Sequence, residues 1–254
     1  MALSVERREQ ILQLLREDGR VVAADLPERL GVSLDTVRRD LDELAETGLL
    51  RRVRGGALPP SPSSPRFVER TEQDLPAKRA IAAAAVERLI RPGQVIALGG
   101  GTTVREVARR LPADLGATVL TTAPDVAVDV LDRPGLDVQL LGGPVNSETR
   151  TVVGYEAVDA LSHVRPDLCL LGACSVDAEA GVTIQHRDEA LVERAMVAAA
   201  TRTAVLADST KLATAGPWIV GPLRDVGVLV TDGAADPGAV AAVEQQGVQV
   251  VLAR

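Results

Sequence analysis

Apolar positions along this chain follow two different spacings, which divide it into two parts. In the first part, Val37, Leu41 and Leu44 stand at i, i+4 and i+7 and define one apolar stripe along a helix. Beyond residue 76, short runs of Val, Leu and Ala alternate with helical patterns. That alternation is typical of a mostly parallel β-sheet covered by helices on both faces.

The N-terminal part is predicted to hold three helices and a basic β-hairpin. Gly31 can adopt the positive φ that ends the second helix, and the Ser33 hydroxyl can cap the third. Pro27 is tolerated only in a first helical turn, so the second helix is expected to start near residue 24. The predicted elements are helices over residues 4–17, 24–30 and 34–47, a short strand at Val21–Val22 beside the hairpin, and the hairpin itself from Leu49 to Gly56.

Five arginines of the N-terminal part lie on two of its predicted elements, the third helix and the hairpin. Arg38 and Arg39 fall on the polar side of the third helix, and three more arginines fall on the hairpin. An ordinary solvated helix is the alternative, but the order of capped helix, arginine pair and basic hairpin favours a winged helix-turn-helix. The predicted DNA contacts are Ser33, Thr36, Arg38, Arg39, Arg51, Arg52 and Arg54.

Prolines and serines mark a boundary after the hairpin. Residues 58–65, LPPSPSSP, hold four prolines and three serines, a composition that favours an extended spacer. We therefore assign residues 1–58 to a winged helix-turn-helix domain, 59–76 to a linker and lead-in, and 77–254 to an α/β domain. The expected fold class is α/β with a small N-terminal α+β winged helix-turn-helix.

In the C-terminal part, several predicted strands end in glycine or small polar residues. Gly99 to Thr103, GGGTT, directly follows one strand and precedes a helix, an arrangement whose N–H groups and hydroxyls favour an anion. It matches neither a P-loop nor a dinucleotide-binding fingerprint. Asp208 to Lys211 follow a second strand, and Lys211 is one of only two lysines in the chain. Taken singly, either feature is more often structural.

Both parts resemble the DeoR family of bacterial transcriptional regulators. VSLDTVRRDL over residues 32–41, followed by G-x-x-x-R-x-x-G-G-A over residues 48–57, is similar to the helix-turn-helix signature of that family. Further similar motifs are KRxIA at 78–82, GTT at 101–103, LGG at 141–143, LGA at 171–173, GVT at 181–183 and ADSxK at 207–211.

The resemblance implies a sensor fold similar to sugar-phosphate isomerases that binds a phosphorylated sugar or a related metabolite. Gly99, Thr122 and Thr210 stand where the family usually has Asp, Asn and Ser, and the first two differences remove polar groups from the expected pocket wall. Carried over by position, the effector-binding residues are Gly100, Gly101, Thr102 and Thr103 for the phosphate, and Thr122, Asp208 and Lys211 for the rest of the ligand.

Charge and composition narrow the range of partners. The net charge of −7 divides into −1 for residues 1–58 and −6 for the remainder, so a near-neutral head predicts salt-sensitive DNA binding by two heads together. Only three aromatic residues argue against single-stranded nucleic acid. Cys169 and Cys174 are expected to be a buried thiol pair, and His163 and His186 offer too few further ligands for a metal site.

The function expected from all these features is transcriptional regulation. No apolar run is long enough for a membrane span, and the N-terminus has no secretory signal pattern, so the cytoplasm is expected. We expect a non-enzymatic homodimer or homotetramer without cofactor that represses carbohydrate genes and is released from operator DNA by a phosphorylated sugar. One alternative is an isomerase with a docking head, whose general base would come from Asp188, Glu189, Asp208 or Lys211. Another is an activator or a regulator that needs no effector.

Overall fold

Two folded parts make up the computed structural model, which describes residues 4–47, 49–59 and 67–253. The predicted helix stop at Gly48 and most of the predicted spacer at 58–65 lie outside the described residues. Among the described residues, no helix is both long and apolar enough to cross a bilayer. The domain boundaries given above stay a prediction.

The N-terminal part is a winged helix-turn-helix. Strand β3 pairs antiparallel with both β1 and β2, so the predicted strand at Val21–Val22 does join the hairpin. Helix α2 starts two residues later than predicted and has Pro27 in its first turn, where the missing N–H costs nothing. The elements are α1 (Ser4–Asp18), β1 (Val21–Val22), α2 (Leu26–Leu30), α3 (Leu34–Glu46), β2 (Arg51–Val53) and β3 (Gly56–Leu58).

The turn between α2 and α3 forms as the sequence predicts. Gly31 has a φ of 66° and ends α2, and the Ser33 hydroxyl accepts a hydrogen bond of 3.2 Å from the Thr36 amide at the start of α3. The apolar stripe of α3 then turns inward, where Val37 and Leu41 are fully buried in the small core of this part. These local signals fix the direction in which the polar side of α3 faces.

A seven-stranded parallel sheet forms the centre of the C-terminal part. Its strands are β4 (Val95–Leu98), β5 (Ala117–Thr121), β6 (Leu136–Leu140), β9 (Leu168–Gly172), β12 (Thr203–Leu206), β14 (Val228–Asp232) and β15 (Gln249–Ala253). Their order across the sheet is β15-β14-β12-β9-β4-β5-β6. The shorter strands are β7 (Val145–Asn146), β8 (Thr151–Val152), β10 (Ser175–Asp177), β11 (Gly181–Ile184) and β13 (Trp218–Gly221).

Helices cover both faces of this sheet, which confirms the predicted fold class. Leu168 and Leu170 of β9 belong to one apolar core, whereas Cys169 and Leu171 belong to the other, as the two-residue period of a strand requires. The helices are α4 (Phe67–Glu72), α5 (Leu75–Leu89), α6 (Thr102–Ala108), α7 (Pro124–Leu131), α8 (Tyr155–Ser162), α9 (Arg187–Ala199) and α10 (Pro237–Glu244).

Several short elements were not predicted from the sequence. The hairpin of β7 and β8, helix α8, and the antiparallel sheet of β10, β11 and β13 all lie outside the regular alternation of strand and helix. These strands contain two to four residues each, too few for a clear alternating pattern. Helix α6 also begins earlier than predicted, directly after the glycine turn.

Candidate functional sites

The exposed side of α3 is the candidate DNA-reading surface. Arg38 and Arg39 are both exposed, and Arg38 makes only a loose ion pair of 3.4 Å with Asp35, itself exposed. The hydroxyls of Ser33 and Thr36 share a hydrogen bond of 2.9 Å, so they order the first turn of the helix. Two guanidiniums near the start of α3 are therefore available to base edges or phosphates.

The three wing arginines differ in their surroundings. Arg52 donates from Nε to Asp42 Oδ1 at 2.8 Å and from Nη1 to the Gly56 carbonyl at 2.9 Å, which ties the wing to α3. Arg51 is half-buried, and burial lowers the pKa of its guanidinium. Arg54, at the tip of the hairpin, is exposed. Arg54 is thus the most accessible of the three hairpin arginines, and Arg51, Arg52 and Arg54 all remain predicted DNA contacts.

A buried ion-pair cluster beneath α3 was not anticipated from the sequence. Asp40 accepts hydrogen bonds from Arg7 Nε at 2.5 Å, Arg7 Nη2 at 3.0 Å and Arg8 Nε at 3.2 Å, and its side chain is only 3% exposed. Burial opposes ionisation of Asp40, but the bonds and charges of both arginines outweigh it, and the pKa of Asp40 is lowered. The cluster fastens α3 to α1.

Replacing Asp40 by alanine is expected to lower the free energy of unfolding of the helix-turn-helix head by about 2 kcal/mol. This is less than the cost of breaking a fully buried ion pair, because Arg7 and Arg8 both keep some contact with water. Since the folded pKa is lowered, this contribution is present above the unfolded pKa of about 4 and is lost as pH falls through the folded value. Hydrogen exchange of peptides from α1 and α3 measures it.

The matched control is Asp35→Ala on the same helix, because that carboxylate is 87% exposed. Its effect is expected to stay within about 0.5 kcal/mol. Equal protection of the head in wild type and Asp40→Ala at pH 7 would contradict a stabilising role for the cluster.

The candidate effector site is a cavity of about 400 Å³ at the carboxyl ends of β4, β9 and β12, the edge where parallel sheets bind ligands. Six of the seven predicted effector residues line it: Gly100, Gly101, Thr102, Thr103, Asp208 and Lys211. The seventh, Thr122, is buried outside the cavity lining, and its carbonyl accepts a hydrogen bond of 2.6 Å from the Val152 amide.

The glycine turn forms one wall of this cavity. Gly101 has a φ of 107°, which side-chain-bearing residues rarely adopt. A Cβ added to Gly100 would lie 1.9 Å from Thr151 Cγ2, so a larger residue there would force the Thr151 side chain to move. The first N–H groups of a helix have no partner within it, and Thr102 and Thr103 bring such groups, with their hydroxyls, to the cavity.

Both lysines of the chain meet at the cavity. Lys78 of α5 donates from Nζ to the carbonyls of Arg70 and Gln73, at 2.5 Å each. Burial lowers the pKa of Lys78; nearby Asp208 opposes this effect and nearby Lys211 adds to it. Sequence reasoning did not assign Lys78 to the site, although the rarity of lysine was a usable signal.

Two glutamates one helical turn apart, Glu189 and Glu193 of α9, also face the cavity. Burial raises the pKa of Glu189, against the opposing effects of a hydrogen bond of 3.2 Å from Thr151 and of the charges of His186 and Arg70. Burial also raises the pKa of Glu193, and repulsion from Glu189 adds to it. Within the described part of the chain, Glu193 Oε2 is buried without a hydrogen-bond partner.

The remaining candidates from the sequence fall in different places. Cys169 is fully buried, whereas Cys174 is half-buried and lines the cavity. Asp188 is exposed and outside the cavity lining, unlike the other proposed general bases. His186 also lines the cavity and lies 3.5 Å from a Glu148 oxygen. Over residues 4–47, 49–59 and 67–253, no three potential ligands cluster as a metal site would require.

Family models match both parts of the chain. The model of the DeoR-like helix-turn-helix domain matches residues 7–63, and that of the DeoR C-terminal sensor domain matches residues 73–233. Together the two models cover most of the sequence.

Curated relatives match along nearly the whole length. The HTH-type transcriptional regulator GlpR of Haloferax volcanii is 36% identical over 98% of each chain. The HTH-type transcriptional repressor GlcR of Bacillus subtilis is 32% identical over 89% of this chain and 88% of its own. The transcriptional repressor AccR of Agrobacterium fabrum is 31% identical over 89% of each. Among solved structures, ribose 5-phosphate isomerase from Plasmodium falciparum superposes with a TM-score of 0.39 at 17% identity, over 53% of this chain and 51% of that chain.

Proposed function

The chain belongs to the DeoR family of transcriptional regulators, and we propose that it represses carbohydrate-metabolism genes until a phosphorylated sugar releases it from operator DNA. The observation that carries the proposal is the cavity that is lined by a glycine turn, by Thr102 and Thr103, and by both lysines. N–H groups, hydroxyls and ammonium groups are the donors that a phosphate ester requires. The names of GlcR and AccR as repressors support the sign of regulation.

Release from DNA requires that the sugar favour one arrangement of the protein over another. An effector shifts such an equilibrium only by its difference in affinity for the two arrangements. One small head buries too little surface for tight specific binding, so the proposal includes a homo-oligomer in which two heads engage one operator. Effector binding would change the spacing of those heads. The proposal also places the protein with the chromosome, in the cytoplasm.

A mobility-shift assay with DNA from upstream of the chain's own and neighbouring genes tests the proposal, repeated with a panel of phosphorylated sugars and their unphosphorylated counterparts. We expect a specific shift that one phosphorylated sugar relieves and its unphosphorylated form does not. Relief by both forms alike would contradict a phosphate site. Absence of a specific shift at low salt, together with turnover of ribose 5-phosphate, would favour the isomerase alternative, because Glu189, Asp208 and Lys211 do line the cavity.

A further inference from the structure

We propose that the effector carries a free amino group besides its phosphate, and that Glu189 and Glu193 bind this group as an ammonium ion. The inference rests on the proposed function, because it concerns the same cavity. It narrows the ligand to the class of phosphorylated amino sugars. Nothing in the helix-turn-helix head bears on it.

The unsatisfied carboxylate oxygen is the first observation. Glu193 is 5% exposed and lines the cavity, and its Oε2 atom is buried with no hydrogen-bond partner in the described structure. An unpaired buried acceptor is costly and uncommon in folded proteins. Because Glu193 lines the cavity, a ligand bound there could supply the missing donor.

Charge is the second observation. Within the described residues, no lysine or arginine forms an ion pair with Glu189 or Glu193. Arg70 and His186 act on Glu189 from a distance, whereas the charged neighbour that acts on Glu193 is Glu189, which raises its pKa further. Two buried carboxyl groups side by side repel when ionised, and a cation from outside the chain would relieve this repulsion.

An ammonium group supplies both the missing hydrogen-bond donor and a compensating positive charge, whereas a hydroxyl supplies only the donor. It carries three N–H donors and a full positive charge. A sugar hydroxyl offers one donor and no charge, so it could satisfy Glu193 Oε2 but leave the repulsion between the carboxylates. Side chains four residues apart on a helix lie on the same face, which lets one small group contact Glu189 and Glu193 together.

The acidic pair is close enough to the glycine turn for one small ligand to reach both. A Cβ added to Gly100 would lie 3.9 Å from Glu189 Oε1, so this carboxylate adjoins the predicted phosphate wall. The cavity volume of about 400 Å³ lies in the range of small-molecule sites. A hexosamine phosphate, with its charged groups at different ring positions, matches such a cavity in size and in charge distribution.

The test compares sugar phosphates that differ only in an amino or a hydroxyl group. Glucosamine 6-phosphate is compared with glucose 6-phosphate, and galactosamine 6-phosphate with galactose 6-phosphate, by calorimetric titration of the full-length protein at pH 7. We expect the amino member of at least one pair to bind about 10–100-fold more tightly, the range of a charge-assisted hydrogen bond. Glu193→Gln keeps the shape of the side chain but not its charge, so it should abolish most of the preference for the amino sugar phosphate. The control Glu244→Gln, on the exposed surface, should retain that preference.

The outcomes separate this inference from the proposed function. Equal or tighter binding of the hydroxyl member in both pairs would overturn the amino-group inference and leave the phosphorylated-sugar regulator in place. Failure of all four compounds, and of every other phosphorylated sugar in the mobility-shift panel, would overturn the proposed function as well. The wild-type comparison needs no variant, so it stands even if Glu193→Gln does not fold.

Discussion

A protein in which both Arg38 and Arg39 are replaced by alanine is expected to bind operator DNA at least about 100-fold more weakly than wild type. Each arginine that pairs with a base edge contributes about 1–3 kcal/mol of discrimination. Both side chains are exposed on α3, and neither is buried in the core of the head, so the fold should persist. Affinity is measured by fluorescence anisotropy at one fixed salt concentration, because binding to phosphates falls steeply with salt.

The control for this prediction removes the same two positive charges elsewhere. Arg88→Ala with Arg224→Ala changes exposed positions of the sensor part and should alter operator affinity by less than about threefold. Hydrogen exchange of α3 verifies that the head of the test variant remains folded. Near-wild-type affinity of a folded Arg38→Ala, Arg39→Ala protein would show that α3 does not read the operator.

Local signals explain why the head could be predicted so closely from the sequence. A glycine with positive φ, a serine cap and an apolar stripe act within one or two turns of α3, and each appears in the structure as expected. The pairing of Asp40 with Arg7 and Arg8 could not be predicted in the same way. It joins residues more than thirty positions apart, and an acidic residue on a helix normally indicates a solvated face.

The sensor part was predictable in its layers but not in its strand order. Buried parallel strands are recognised in a sequence as short apolar runs. All seven strands of the central sheet were therefore predicted near their actual positions. Nothing in a run such as Val95–Leu98 specifies its neighbours, however, so the central placement of β4 between β5 and β9 emerges only from the fold.

The same distinction separates the predicted from the unpredicted parts of the cavity. Gly100 and Lys211 lie shortly after strands, so the rule that ligands bind at strand ends drew attention to both, and the family resemblance then assigned them to the effector. Lys78 lies in the first turn of α5 and Glu193 in the middle of α9. At both positions the helical pattern does not separate a buried charged residue from a surface one, and for Lys78 the rarity of lysine was the usable signal. Their burial at the cavity is a property of tertiary packing alone.

Of the two cavity lysines, Lys211 is the one whose removal tests effector binding most directly. Lys78 holds the carbonyls of Arg70 and Gln73, so a Lys78 variant would lose local structure together with any ligand contact. Lys211 is also buried, but in the described structure no side-chain hydrogen bond or ion pair engages its ammonium group. That leaves its charge available to a phosphate or a sugar hydroxyl.

Lys211→Ala is therefore expected to raise the sugar-phosphate concentration needed for half-release from operator DNA by about 10–100-fold, the cost of one charged hydrogen bond. Operator affinity without sugar should stay within about twofold of wild type, because Lys211 lies in the sensor part and α3 is unchanged. Mobility shifts across a concentration series of the releasing sugar measure the first quantity, and direct titration without DNA measures the loss of affinity independently.

The matched control is Arg224→Ala. It removes a positive charge from the same part of the chain, at a side chain that is 80% exposed, and its release from operator DNA should match that of wild type. A Lys211→Ala protein that binds operator and releases with an unchanged curve would place the effector site elsewhere, since a buried cation that contacts an anionic ligand cannot be lost without effect. If the release curve shifts for Lys211→Ala but not for Arg224→Ala, sugar binding in the cavity controls release from DNA. The cavity and the DNA-binding surface of α3 share no residue, so the coupling between them would act through the conformational equilibrium.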